Sequence, residues 1–254
     1  MDAKKNRLPF IELNEVESTN NYAMGWVQGT HLPKGHENLT NGTAILAYHQ
    51  TAGKGQRGKS WQSPRGESLS LSIVLKPDHL TIHQSFPLLC AVAVGVAEVL
   101  QTYTGDEIKI KWPNDLYWQN RKLGGILIEN VVKGNQFQWV VTGIGVNVLQ
   151  KKFPDYLENP VSLKQITGKD TDIKTLALQI QEAVVKNTEQ LQQHPSSFFK
   201  AYNEILLGKD DMVRLKQGVR VFETLIKGVN EFGELMTGAD GQTTFQFGEV
   251  EWRF

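Results

Sequence analysis

The segment Gly53-Lys54-Gly55-Gln56-Arg57-Gly58-Lys59-Ser60 constrains this chain more than any other, because a proline and a glycine close behind it decide which anion-binding folds remain possible. It matches the phosphate-loop pattern G-x-x-x-x-G-K-S, and its glycines also fit G-x-G-x-x-G. Both motifs need a strand before the loop and a helix after it, since the helix N-terminus helps hold the phosphates. Ala44 to Tyr48 supplies a short apolar strand. The helix is forbidden: Trp61-Gln62-Ser63 runs into Pro64 and Gly66, which break a nascent helix within two turns. Ser68 to Leu75 then alternates serine with apolar residues, the period of a strand. The unit is therefore strand, basic glycine loop, strand. It excludes an ordinary P-loop nucleotidase, yet it can hold an anion through backbone N–H groups and Lys54, Arg57 and Lys59. A glycine-rich hairpin with solvated charges is the plain alternative.

Charge sharpens that reading. Lys plus Arg and Asp plus Glu number 27 each, so no global bias points to nucleic acid or an anionic membrane, and a local basic loop implies a small specific anion. The single cysteine, Cys90, rules out an internal disulfide and a multi-cysteine metal site. Its apolar surroundings make it a buried small hydrophobe. His31, His36, His49, His79, His83 and His194 show no metal-ligand spacing, and no nucleophile stands with a base. Met1 to Arg7 is polar with no apolar signal core behind it. The longest apolar stretch, Phe86 to Leu100, is interrupted by Pro87, Gly95 and Glu98, against a membrane span. The cytoplasm is the expected compartment.

Along the chain, Ser18-Thr19-Asn20 precedes an expected short helix that runs to Val27, and loop is expected from Gly29 to Thr43. Strands are expected at about 44–49 and 68–75, a buried helix over Phe86 to Tyr103 and a strand from Glu107 to Trp112. A hairpin comes next, with Leu116-Tyr117-Trp118 against Leu123 to Val131, then a strand over Phe137 to Val148. Pro154 to Asp170 reads as loop, and helices are expected from Ile173 to Leu191 and from Ser196 to Leu207. From Asp211 the pattern changes to short strands and tight turns over about 45 residues, the spacing of a small barrel. The fold class is α+β with a mainly antiparallel sheet over residues 1–205 and a small β-barrel over 206–254.

A second set of residues carries chemistry. In Lys111-Trp112-Pro113-Asn114-Asp115 a proline ends a strand and fixes a corner, and Lys122-Leu123-Gly124-Gly125-Ile126 brings a second lysine from the adjacent strand. Gly124 and Gly125, and likewise Gly143 and Gly145 in Gly143-Ile144-Gly145-Val146-Asn147, make room inside strands for a ligand or for a bulge. Ser18-Thr19-Asn20 reads as a helix N-cap as readily as a ligand site, and Gln50 ends the strand before the basic loop.

Taken together these residues resemble one family, the biotin–protein ligases. The family's loop pattern G-R-G-R-x-G-R-x-W stands here as Gly53 to Trp61; K-W-P-N-D is intact at Lys111 to Asp115; K-L-x-G-I-L-x-E is Lys122 to Glu129; G-I-G-x-N is Gly143 to Asn147; S-T-N is Ser18 to Asn20. The loop departs from the pattern at Gln56, often arginine, and the N-terminus is shorter than the winged helix of regulatory members. The resemblance implies a class II synthetase-like catalytic domain with an SH3-like C-terminal barrel. It implies activation of biotin with ATP and Mg²⁺ to biotinyl-5′-adenylate, then transfer to a lysine of a biotin carboxyl carrier domain. No DNA or membrane partner is expected, and the chain is expected as monomer or homodimer. Under the resemblance, Lys122, Arg57 and Lys111 are the catalytic cations. Biotin falls to Ser18, Thr19, Asn20, Gln50, Gly53, Lys54, Gly55, Gln56, Trp61, Lys122 and Gly125. ATP falls to Lys54, Arg57, Lys59, Trp112, Asn114 and Asn147, with Asp115 a candidate Mg²⁺ ligand. Two other readings stand beside it: a lipoate–protein ligase of similar fold and chemistry, and a biotin-dependent DNA-binding repressor.

Overall fold

A computed structural model describes residues 8–31, 39–105 and 107–253 of the chain. The polar N-terminal residues 1–7 and part of the expected 29–43 loop, including Pro33, Gly35, His36 and Asn38, lie outside the described residues.

A seven-stranded sheet organises the chain. Its strands are β1 (Phe10–Leu13), β2 (Thr43–Ala47), β3 (Ser68–Leu75), β4 (Ile108–Lys111), β5 (Asp115–Trp118), β6 (Arg121–Lys133) and β7 (Gln136–Asn147), in the order β1-β2-β3-β7-β6-β5-β4. Only β1 and β2 pair in parallel; every other pair is antiparallel, as the alternation in the sequence implies. β1 was not legible in the sequence: four residues, Phe-Ile-Glu-Leu, gain their strand only by pairing with Ala44 to Ala47, far along the chain. The basic loop leads straight into β3, with only a 3-10 turn at Gln56–Gly58, so the helix that a P-loop requires is absent there.

The two faces of the sheet differ because its strands alternate. Leu69, Leu71, Ile73 and Leu75 of β3, with Ile144 and Val146 of β7, face a layer of helices: α2 (Ser85–Thr104), α4 (Ile173–Gln190) and α5 (Pro195–Glu204). A short α3 (Leu163–Thr167), capped by Ser162, interrupts the segment read as loop. With its preceding turn, α2 is the one stretch among the described residues long and apolar enough to cross a membrane, but its Leu88, Val92, Val96 and Leu100 are fully buried in this layer. Each such side chain contributes roughly 1.5–3 kcal/mol by leaving water. On the opposite face, α1 (Thr19–Val27) packs Ala23 and Trp26 against Ile45, Val74 and Val141. Beyond α1 that face is made of small residues, and a cavity opens over them.

After α5 the chain runs along β4, where Ile110 N donates to Ile205 O (2.8 Å) and Leu207 N to Ile110 O (2.9 Å). The division expected between residues 205 and 206 thus falls in a segment bonded to the large sheet. The chain then forms β8 (Met212–Gln217), β9 (Arg220–Val229), β10 (Leu235–Thr237), β11 (Thr243–Phe245) and β12 (Glu251–Arg253), an antiparallel sheet in the order β11-β10-β9-β8-β12. Tyr202 of α5 braces the corner after β4: fully buried, it donates its hydroxyl to Pro113 O at 2.8 Å and meets Phe86 edge-on. Tyr202→Phe removes the partner of that carbonyl. We expect it to lower unfolding free energy by about 1–2 kcal/mol in urea titrations. An unchanged midpoint would mean that the Pro113 corner is held by other contacts.

Candidate active site

The floor of the site is a patch where three central strands carry almost no side chains. On the face away from the helices, Ser70 of β3 pairs with Gly145 of β7, which pairs with Gly125 of β6. The next row is Ser72, Gly143 and Leu127. Over this patch lies a cavity of about 480 Å³, within the range of small-ligand pockets.

The glycines of β7 are matched to particular neighbours. A Cβ on Gly143 would collide with the Asn20 amide, and one on Gly145 with the Trp61 indole. α1 and the basic loop therefore sit directly on the sheet. Ser18 caps α1 by accepting from Asn21 N. Behind it the polar groups form one network. Thr19 donates from N (2.8 Å) and Oγ1 (3.1 Å) to Gln50 Oε1. Ser72 Oγ lies 2.8 Å from Thr19 Oγ1 and 2.6 Å from Asn20 Oδ1. The Asn20 amide donates to Glu129 Oε2 at 2.8 Å. Ser18-Thr19-Asn20 is thus both an N-cap and part of the cavity wall.

The loop folds into a tight hairpin. Gly55 N donates to Lys59 O (2.7 Å) and Trp61 N to Gly53 O (2.8 Å). Its Arg57 holds a left-handed backbone (φ 54°), which is costly for a residue with a side chain. The guanidinium sits 4.9 Å from the Phe247 ring and donates to Phe247 O at 3.3 Å, against Gly248, where any Cβ would collide with it. Lys54 Nζ approaches Glu129 Oε1 at 3.7 Å. Two buried polar atoms of the loop, Gln56 Oε1 and Trp61 Nε1, have no hydrogen-bond partner among the described residues. Orphaned groups at a cavity call for a ligand or water to satisfy them.

The corner at the end of β4 forms the remaining wall. Lys122 Nζ pairs with Asp115 Oδ1 at 2.7 Å. Lys111 stands 3.3 Å from the Tyr117 hydroxyl and 5.1 Å from its ring centre. Burial depresses the Lys111 pKa, with the positive charge of Lys122 and Lys59 acting the same way and Asp115 opposing. Burial likewise pushes the Tyr117 phenol up, helped by Asp115 and Glu158. An incoming anion would reverse the first effect by giving the ammonium an opposite charge. Asn114 is buried, and its amide donates to Ile126 O. Trp112 donates from Nε1 to Gly233 O (2.9 Å) and meets Phe247 edge-on at 5.9 Å.

The structure brings nearly all of the expected site residues to this cavity. From the first segments come Ser18, Thr19, Asn20 and Gln50; from the loop, Lys54, Gly55, Gln56, Arg57, Lys59 and Trp61; from the corner and hairpin, Lys111, Trp112, Asn114, Asp115, Lys122 and Gly125. Gly53 and Asn147 are not among its walls. Asn147 is buried and internally bonded: its amide donates to Val161 O (3.1 Å) and its Oδ1 accepts from Gln150 (3.2 Å), so it braces the wall from behind. Gly53 lies where a Cβ would run into the Trp61 backbone and the Gln50 amide. Sequence reasoning did not single out Ser72, Glu158, Phe247 or the role of Glu129. Period-two alternation from Gly125 through Leu127 was the signal that puts Glu129 on the cavity face. No group of three or more His, Cys, Asp or Glu placed to hold a metal ion occurs among the described residues.

Residues 26–147 match the biotin/lipoate A/B protein ligase family. The chain is 28% identical over 229 residues to the bifunctional ligase/repressor BirA of Escherichia coli (strain K12), covering 89% of this chain and 68% of that protein. It is 31% identical over 165 residues to the biotin–[acetyl-CoA-carboxylase] ligase of Paracoccus denitrificans, covering 63% and 65%. Its fold superimposes on a biotin protein ligase from Aquifex aeolicus in complex with biotin and ATP with a TM-score of 0.78, at 28% identity, covering 96% of this chain and 98% of that one.

Gly145→Ala should push the Trp61 indole off the sheet at a cost of about 1–3 kcal/mol, as overpacking commonly does. Urea unfolding measures the cost, and limited proteolysis should cut the 53–61 loop faster. A variant with wild-type stability and cutting rate would show that the indole is not anchored there.

Proposed function

We propose, for a chain that is homologous to the biotin protein ligases and carries the biotin/lipoate A/B protein ligase domain, the ATP-dependent activation of biotin and its transfer to a lysine of a biotin carboxyl carrier domain. One observation carries the reading furthest. Cations from three separate segments, Lys54 and Arg57 of the loop, Lys111 of β4 and Lys122 of β6, converge on one cavity whose floor is small and polar. A carboxylate attacking a phosphate must overcome like-charge repulsion, and fixed cations are the means.

In this reading the biotin carboxylate lies beside Lys122 and attacks the α-phosphorus of ATP, and pyrophosphate leaves. The ε-amine of the carrier lysine then attacks the acyl carbonyl, and AMP leaves. Lys122 is kept oriented by Asp115. Ser18, Thr19, Gln50 and Asn20 supply donors and acceptors to the polar edge of the acid, and Trp61 and Trp112 its walls. Arg57 and Lys59 attend the nucleotide phosphates. Asp115, one of whose oxygens is taken by Lys122, and Asn114, whose amide nitrogen is turned to Ile126 O, would be the residues to hold a magnesium ion through their remaining oxygens. When bound it would neutralise phosphate charge. The C-terminal residues contribute Phe247 and Val250 to the wall of the cavity. We place the reaction in the cytoplasm, where ATP is supplied. Lipoate is the competing acid; parallel incubations with biotin and with lipoate distinguish them.

Lys122→Ala should abolish nearly all biotin-dependent pyrophosphate release while changing stability by less than about 1 kcal/mol, since a part-exposed ion pair contributes little to folding. Near-normal release with an intact circular dichroism spectrum would remove Lys122 from the chemistry. Gln56→Arg should hold the adenylate at least as tightly as the native residue, and Gln56→Gly should release it. Streptavidin blots with an unrelated lysine-rich protein read the difference: bystander labelling only with the glycine variant is expected, and identical blots would show that Gln56 does not hold the adenylate.

A further inference from the structure

We infer that Glu129 is a positioning residue, one that ties the basic loop to the floor of the acid-binding cavity. The inference rests on the biotin-activating reading. Its two carboxylate oxygens are divided between two elements: Oε2 accepts from the Asn20 amide of α1 at 2.8 Å, and Oε1 faces Lys54 Nζ of the loop at 3.7 Å. Both partners are distant in sequence, Asn20 by 109 residues, so no local preference accounts for the arrangement. The Asn20 amide lies over the bare Gly143 backbone and is held on its other side by Ser72 Oγ, which donates to Oδ1. That fixes Glu129, and through Glu129 the first cation of the loop. The chain Lys54–Glu129–Asn20–Ser72–Thr19–Gln50 is then continuous from the loop to the end of the strand before it.

The position of Glu129 comes from the strand. Gly125, Leu127 and Glu129 lie on one face of β6 by alternation, and the first two line the cavity. Glu129 sits one step further along the same row, at the cavity's margin, where a carboxylate can hold a lysine without meeting the substrate's own carboxylate. The consequence is directional. Loss of the Glu129 charge frees Lys54 and weakens acid binding, while the chemistry at Lys122 is unaffected.

Glu129→Gln keeps the size of the side chain and an acceptor for Asn20 but removes the attraction for Lys54. In steady-state pyrophosphate release we expect the KM for biotin to rise about five-fold, the scale of one solvent-accessible ion pair, with kcat within about two-fold of wild type. Glu129→Gln combined with Lys54→Ala should be no worse than Lys54→Ala alone, since both changes break one interaction. Limited proteolysis without any ligand should cut the 53–61 loop of Glu129→Gln faster than that of wild type, with an unchanged unfolding midpoint. An unchanged or lowered KM, additive effects in the double variant, or equal cutting would overturn the proposal. If wild type releases no pyrophosphate with biotin, the biotin reading fails, and the proteolysis comparison still decides whether Glu129 holds the loop.

Discussion

The site depends on a gap in the sheet. Across β3, β7 and β6 the face away from the helices carries serine and glycine at its centre, with Ser70, Gly145 and Gly125 in one row and Ser72 and Gly143 in the next. A side chain at 143 or 145 would occupy the space that Asn20 and Trp61 now fill. Because these positions are bare, α1 and the basic loop rest on the sheet backbone, and a cavity is left between them. The opposite face of the same strands is leucine, isoleucine and valine under α2 and α4, so the layer that stabilises the sheet is separate from the layer that binds.

Electrostatics complete what the gap begins. Cations drawn into one cavity repel each other, and the structure offsets this with carboxylates set at its margins. Asp115 holds Lys122, and Glu129 holds Lys54. Lys111 is half-buried, and that desolvation lowers its pKa, the electrostatic cost of placing an ammonium there. Arg57 takes a different course, leaning on Phe247 of the C-terminal region from a left-handed backbone. Both regions of the chain therefore share in placing the charge. A cleft lined by these cations favours an anionic ligand.

Much of this was legible in the sequence, and the misses have physical causes. The serine–leucine alternation of 68–75 announced β3 and its two faces, and Pro64 with Gly66 excluded the helix of a P-loop. The long buried helix, strands over 123–131 and 137–148 and the short strands after 211 come from local pattern alone, while β6 begins earlier, at Arg121, inside the expected turn. β1 does not, because a four-residue parallel edge strand is specified by its partner and not by itself. Site residues carried by motifs reached the cavity, except Gly53 and Asn147. The asparagine is engaged by Val161 and Gln150, neighbours that spacing cannot reveal. Glu129, Ser72 and Phe247 were missed for the converse reason: each acts through a partner far away in sequence.

The central claim is that this cavity joins biotin to a carrier lysine as ATP is cleaved to AMP. Intact-mass and peptide spectrometry of a biotin carboxyl carrier domain, after incubation with the purified chain, biotin and MgATP, test it most directly. The account predicts a mass gain of one biotinyl group on a single lysine, with AMP and pyrophosphate released and no gain when ATP is omitted. An unmodified carrier, or modification with lipoate in place of biotin under the same conditions, would contradict it.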